Sequence, residues 1–191
     1  MYIEISCYGD FNPFRKILEI LAGPNRESFI DLCCYDGGQT KYLDFKEKTF
    51  VDMIKPDGAV YPGDFVETDV LGDHPIFQKR YSVAYCLDGI EHLHKADGYR
   101  LLQKMESISD RQILFTPLGE YMVNAHDSHP HSHKSGWYPG DAQDYGVVVA
   151  PNWHPTLNLG AFFMIKCPDI ENEFKRIRAE LSSDPYFQVV Q

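Results

Sequence analysis

The most constraining feature of the chain is the run Tyr81–Leu87 (YSVAYCL), a strand candidate without polar and apolar alternation. A strand that reads this way is buried on both faces, which calls for a largely parallel sheet covered by helices on either side. The next two elements agree. His94–Ser109 places Tyr99, Leu101, Leu102, Met105 and Ile108 at helical spacing, and Arg111–Thr116 (RQILFT) is another apolar strand, closed by Pro117. A strand, a helix and a strand in succession point to a parallel crossover.

Upstream, Asn12-Pro13 opens a helical pattern with Phe14, Ile17, Leu18 and Leu21 on one face and Gly23-Pro24 as the stop. Short apolar strands are expected at Ser28–Leu32 and Lys48–Met53, a weaker one at Phe65–Val70, and the first turns of a short helix at Lys41–Phe45. Downstream comes a polar, histidine-rich loop over residues 119–138, then a short helix at Pro139–Tyr145. Closing strands are expected at Gly146–Ala150 and Gly160–Cys167, and an amphipathic helix over Asp169–Ser182. This order predicts one α/β domain over residues 1–191, a doubly wound, Rossmann-like, mostly parallel sheet with antiparallel character in its last strands. Helices on both faces would make it a three-layer αβα structure.

A formal net charge of −10 argues against a partner such as bare nucleic-acid backbone, which is met by a basic face. The five cysteines (Cys7, Cys33, Cys34, Cys86, Cys167) are scattered and contain no CxxC pair, so neither a zinc ribbon nor a redox motif is suggested. Their pattern suits a reducing compartment. No apolar run reaches the length of a membrane span, and MYIEISCYGD lacks a basic segment followed by an apolar core. A cytoplasmic protein without a membrane partner is the expectation.

The chemistry concentrates in three segments. In FIDLCCYDGGQTKYL (29–43) an apolar strand ends at Asp31 and runs into a turn with Gly37 and Gly38, then a helix start at Gln39-Thr40. Such a turn lets backbone N–H groups approach a cofactor closely. In KTFVDMI (48–54), Asp52 ends the second strand about twenty residues past the end of the first, where a carboxylate can accept two hydrogen bonds from ribose hydroxyls. In GDFVETDVL (63–71), Asp69 lies at the end of the third strand, placed to accept an exocyclic amine while Val70 packs on a ring.

The succession DLCCYDGGQT, VDM, GDFVETDVL, YCLDGIEHLHKADGYRLLQKMESI and ILFTPLG resembles the ordered motifs of class I S-adenosylmethionine (SAM)-dependent methyltransferases. HKSGW (133–137), followed by PGDAQDYGV, is similar to a segment of a bacterial and archaeal subgroup of small methyltransferase-like proteins. The resemblance covers roughly residues 28–150. It implies a SAM methionine moiety against the turn from Cys33 to Gly37, including Asp31 and Tyr35, with the ribose on Asp52. The adenine would lie near Asp69 and Val70, and Leu87 and Asp88 would face the methionine or the substrate. The family pattern is D-x-G-x-G-x-G, and here Cys33 and Tyr35 stand where its first two glycines are expected. Cβ atoms at these positions should push the backbone from a conformation glycine reaches easily. Either the loop takes another path, or cofactor binding is weakened or lost.

The resemblance implies methyl transfer to a small polar molecule. His92, with Asp88 in LDGIEHLH, is the first candidate for a base, since its free pKa lies near neutrality. His133 is the second, and Glu91 is expected to pair with a nearby cation or helix terminus. The loop histidines His126, His129, His131 and His133, with Asp127, are metal-ligating types. They sit on a proline-bearing loop without i, i+4 spacing, and no metal site is predicted. Two alternatives stay open: a non-catalytic relative that has lost the cofactor, and a fold-mate with another chemistry.

Overall fold

Tyr81–Leu87 forms a strand whose residues 81–86 are all buried, paired in parallel on both edges. The computed structural model describes residues 1–7, 11–120, 132–154, 157 and 159–190. In chain order the strands are Tyr2–Ser6 (β1), Ser28–Leu32 (β2), Glu47–Asp52 (β3), Asp64–Glu67 (β4), Tyr81–Leu87 (β5), Ser109–Pro117 (β6), Gly146–His154 (β7), Leu159–Lys166 (β8) and Gln188–Val189 (β9). They form one sheet in the order β4-β3-β2-β5-β6-β8-β7-β1-β9. Strands β4 to β6 of that series are mutually parallel, while β8 runs antiparallel to both β6 and β7.

The helices Phe11–Ala22 (α1), Lys95–Ile108 (α2) and Ile170–Ser183 (α3) cover the sheet on both sides. On one face Ile17, Leu18 and Leu21 of α1 and Phe174, Ile177 and Leu181 of α3 pack on Phe29, Tyr85, Ile113 and Phe163. On the other, Leu101, Leu102, Met105 and Ile108 of α2 pack on Ile30, Ala84, Leu114 and Phe162. Residues of opposite parity along each strand thus feed opposite cores. The architecture is the expected three-layer, mostly parallel α/β fold, and its antiparallel pair falls where the closing strands were placed.

Several local expectations are corrected. Lys41–Phe45 does not begin an α-helix: Thr40–Tyr42 makes a single 3-10 turn. Leu43 and Phe45 instead turn inward, where the Phe45 ring meets Phe29 edge-on at 5.1 Å. The third strand stops at Glu67, because Asp69 bends the chain by accepting the amide of Leu71 at 2.8 Å. Pro139–Tyr145 is a set of turns, pinned by Asp141, whose Oδ2 accepts from Lys95 Nζ at 2.6 Å and from the Tyr138 amide at 2.7 Å. Two further strands, β1 and the edge strand β9, extend the sheet beyond the elements anticipated.

The sheet order reverses around β2: β3 and β4 lie to one side, β5 and β6 to the other. Such a switch point opens a crevice at the carboxyl ends of the strands, where ligands bind in open α/β sheets. Among the described residues, no helix is long and apolar enough to cross a membrane.

Candidate active site

A cleft of about 800 Å³ lies at this switch point, within the roughly 300–1,000 Å³ range of small-molecule pockets. The ends of β2, β3 and β5 bring Asp31, Asp52 and Leu87 to its wall, and the turn after β4 adds Asp69 and Val70. Cys33, Tyr35, Gly37 and Asp88 also line it, so the structure gathers every residue expected to bind cofactor, together with Asp88. The aspartates 31, 36, 52, 69 and 88 face one lysine, Lys134, in the lining. That balance favours a cationic ligand.

In the loop from Cys33 to Gly38 the two side chains do not keep the backbone out of the conformation that favours glycine. Cys33 and Tyr35 both hold left-handed backbone, with φ of +60° and +47°. For an L-residue that conformation costs roughly 1–2 kcal/mol. Tertiary bonds impose it. The Tyr35 amide donates to Asp52 Oδ2 at 2.7 Å, the Tyr61 hydroxyl donates to the Tyr35 carbonyl, and the Cys34 amide donates to the Val51 carbonyl at 3.1 Å. The Tyr35 side chain is 54% exposed, so it stands at the lip of the cleft and leaves the hollow open. The far wall approaches just as closely. A Cβ on Gly89 would lie 2.7 Å from Cys33 Cβ, so only glycine lets the end of β5 meet this loop.

Asp31 is buried at 3% exposure, and burial lifts its carboxyl to about 8, helped by the charges of Asp52 and Asp36 and opposed by its hydrogen bond with Thr40. The Thr40 hydroxyl lies 2.5 Å from Asp31 Oδ2 and 2.9 Å from the Gly37 carbonyl, with one proton for two acceptors. The Thr40 hydroxyl, the donor toward both, ties the Asp31 carboxyl to the turn. Asp31 thereby latches the turn. Gln39, which sequence reasoning had only placed at the helix start, lines the cleft with a buried Oε1 that meets no donor among the described residues.

At the other end lies the turn Ile90–His92, between β5 and α2. The HKSGW segment is strapped across it. The amides of Lys134 and Ser135 both donate to the Glu91 carbonyl, at 2.8 and 3.2 Å, and Ser135 Oγ donates to the Leu93 carbonyl at 2.8 Å. Trp137 anchors the strap: its fully buried ring lies under Lys95, whose Nζ is 3.7 Å from the ring centroid. A Cβ on Gly98 of α2 would sit 2.4 Å from Trp137 Cζ2, so glycine makes room for the indole.

This strap brings His133 beside His92, with ring centroids 5.0 Å apart. His92 lines the cleft, and its Nδ1 lies 3.2 Å from the Ser132 carbonyl oxygen, which can only accept. Nδ1 therefore carries a proton, so in the neutral ring Nε2 is the basic nitrogen. Glu91 is buried rather than paired with a cation or helix terminus. It is 2% exposed, and Oε2 accepts from Thr116 Oγ1 at 3.1 Å. Burial, followed by the adjacent Asp88 carboxylate, raises its pKa well above the usual carboxylate range. Of the loop histidines, His126, His129 and His131 lie outside the described residues, with Asp127. Trp153 belongs to β7 and packs on Phe14 and Phe115, two residues of the cleft wall.

No family model matches the sequence, and neither does any curated protein. The solved structures it resembles include 1,6-didemethyltoxoflavin-N1-methyltransferase from Burkholderia thailandensis, which holds 1,6-didemethyltoxoflavin and S-adenosylhomocysteine. That likeness has a TM-score of 0.60 at 18% identity over 83% of this chain and 78% of the other. A SAM-dependent methyltransferase from Clostridium acetobutylicum gives 0.58 at 10% identity over 83% and 92%. The N-methyltransferase NodS from Bradyrhizobium japonicum gives 0.57 at 12% identity over 81% and 94%. At these identities the shared property is the fold: the chain has the Rossmann-like αβα fold of SAM-dependent methyltransferases.

Proposed function

We propose that the protein is a SAM-dependent methyltransferase acting on a small polar molecule. The observation that carries this reading is the loop after β2, which keeps left-handed backbone at Cys33 and Tyr35 and leaves the cleft open although neither residue is glycine. The same observation weighs against a relative that lost its cofactor site when the glycines were replaced.

The residues present fit the cofactor. Apart from the buried, neutral Asp31, the aspartates 36, 52, 69 and 88 suit a sulfonium and an ammonium, and the orphaned Gln39 Oε1 offers the ammonium an acceptor. Asp52 uses one lone pair of Oδ2 on the Tyr35 amide and one of Oδ1 on the Ile54 amide, at 3.2 Å, which leaves acceptor capacity for ribose hydroxyls. Val70 offers an apolar wall for adenine beside the Asp69 carboxylate, and Leu87 and Cys33 bound the methionine end. When bound, SAM supplies an electrophilic methyl group for in-line displacement by the acceptor.

The chain's own task is then alignment and exclusion of water. His92, His133 and Asp88 define the acceptor end, and His92 Nε2 is the lone pair able to take a proton from, or hold, an acceptor group. All five cysteines are free, which accords with a cytoplasmic setting. Titration calorimetry of the purified protein with SAM and S-adenosylhomocysteine tests the proposal. Micromolar binding of both is expected; no heat and no thermal shift with either would overturn it.

A further inference from the structure

We propose that Glu91, His92 and His133 form a binding site for one divalent transition-metal ion at the acceptor end of the cleft. One ligand atom from each residue lies within 4.8 Å of the others. An ion with tetrahedral bonds of about 2.0–2.2 Å to imidazole nitrogen and carboxylate oxygen holds its donors about 3.3–3.6 Å apart. Small side-chain rotations therefore close the set.

Three further observations point to a cation. Glu91 is only 2% exposed, and its Oε1 meets no donor among the described residues outside the Asp88 carboxyl. The Asp88 carboxyl lies beside Glu91 and shares a side-chain hydrogen bond with it, and a divalent ion would take the place of that shared proton between the two acids. Next, the donors are oriented from behind. Thr116 Oγ1 holds Glu91 Oε2, and the Ser132 carbonyl holds His92 Nδ1–H, leaving Nε2 as the lone-pair nitrogen. Metal-ligating histidines and carboxylates are steadied in this way. Finally, the site is clamped through backbone: the Lys134 and Ser135 amides on the Glu91 carbonyl fix His133 against the turn that carries the other two donors.

Two imidazoles and one carboxylate suit Zn²⁺, Mn²⁺ or Fe²⁺ better than Mg²⁺ or Ca²⁺. Three protein ligands leave coordination positions open, as in catalytic rather than closed structural sites. His92 belongs to both the triad and the cleft wall, so an acceptor oxygen bound there can enter the coordination sphere, where the ion lowers the pKa of a hydroxyl. This role, though not the metal site itself, rests on the methyl-transfer reading.

The test uses the full chain stripped with a chelator and titrated with Zn²⁺ alone, then with Co²⁺ to read its ligand-field spectrum. One equivalent bound is expected, with a Co²⁺ spectrum of mixed nitrogen and oxygen coordination. Glu91→Gln, which keeps size and the Thr116 contact, and His133→Ala should each weaken binding at least about tenfold, with circular dichroism confirming the fold. Absence of stoichiometric binding, or equal affinity in both variants, overturns the site. S-adenosylhomocysteine titrated into the stripped protein separates the two claims. Binding there without a metal site would leave the methyl-donor reading standing alone, and metal binding without it would do the reverse.

Discussion

The amide of Tyr35 donates to Asp52 Oδ2 at 2.7 Å, joining the left-handed loop after β2 to the end of β3. One carboxylate thus both holds the loop in its unfavourable conformation and faces the cleft. Asp52→Ala should weaken S-adenosylhomocysteine binding by more than about 1 kcal/mol, the scale of a hydrogen bond to a charged group. Calorimetry reads this directly, and unchanged affinity would remove Asp52 from the site.

Tyr35→Gly tests whether the loop conformation is imposed rather than chosen. The side chain is 54% exposed, so little burial is lost. Glycine adopts φ of +47° without the Cβ penalty, against a loss of about 0.5–1 kcal/mol from its freer unfolded state. The expected outcome is a melting temperature unchanged or slightly raised, with S-adenosylhomocysteine still bound. A loss above about 1 kcal/mol would show that the tyrosine ring carries stability of its own.

Asp31 makes stability depend on pH in a set direction. Its carboxyl titrates near 8 in the fold and near 3.8 in the unfolded chain, so the native state holds the extra proton between those values. Its contribution is complete below pH 3.8 and is lost as pH rises through 8. Asp31→Asn removes the group, so the difference in melting temperature, variant minus parent, should grow from pH 4 to pH 8 and then level. A difference independent of pH would contradict the buried, protonated state.

The fold was legible where punctuation was strong. Ser28–Leu32 and Tyr81–Leu87 match their strands residue for residue, because an acidic or glycine-bearing turn ends each apolar run. β1 escaped notice although Ile3 and Ile5 alternate inward. Its partners, Val147–Val149 and Gln188–Val189, lie far along the chain, and five residues carry little local signal.

The site was legible as a set of aspartates at strand ends and opaque as a set of conformations. Local sterics argued against left-handed Cys33 and Tyr35; Asp52 and Tyr61, many residues later, override them. Glu91 reads as a partner for a nearby cation or helix terminus; instead Thr116 and the 134–135 strap fold over it. Non-local contacts set both outcomes.

The most direct measurement is a crystal structure grown with S-adenosylhomocysteine. Ribose hydroxyls are expected within hydrogen-bonding distance of Asp52, adenine against Val70, and the amino-acid end along Cys33 to Gly38 with φ at Cys33 and Tyr35 still positive. A cleft that stays empty at saturating ligand, with the Tyr35 ring turned in to fill it, would contradict the account.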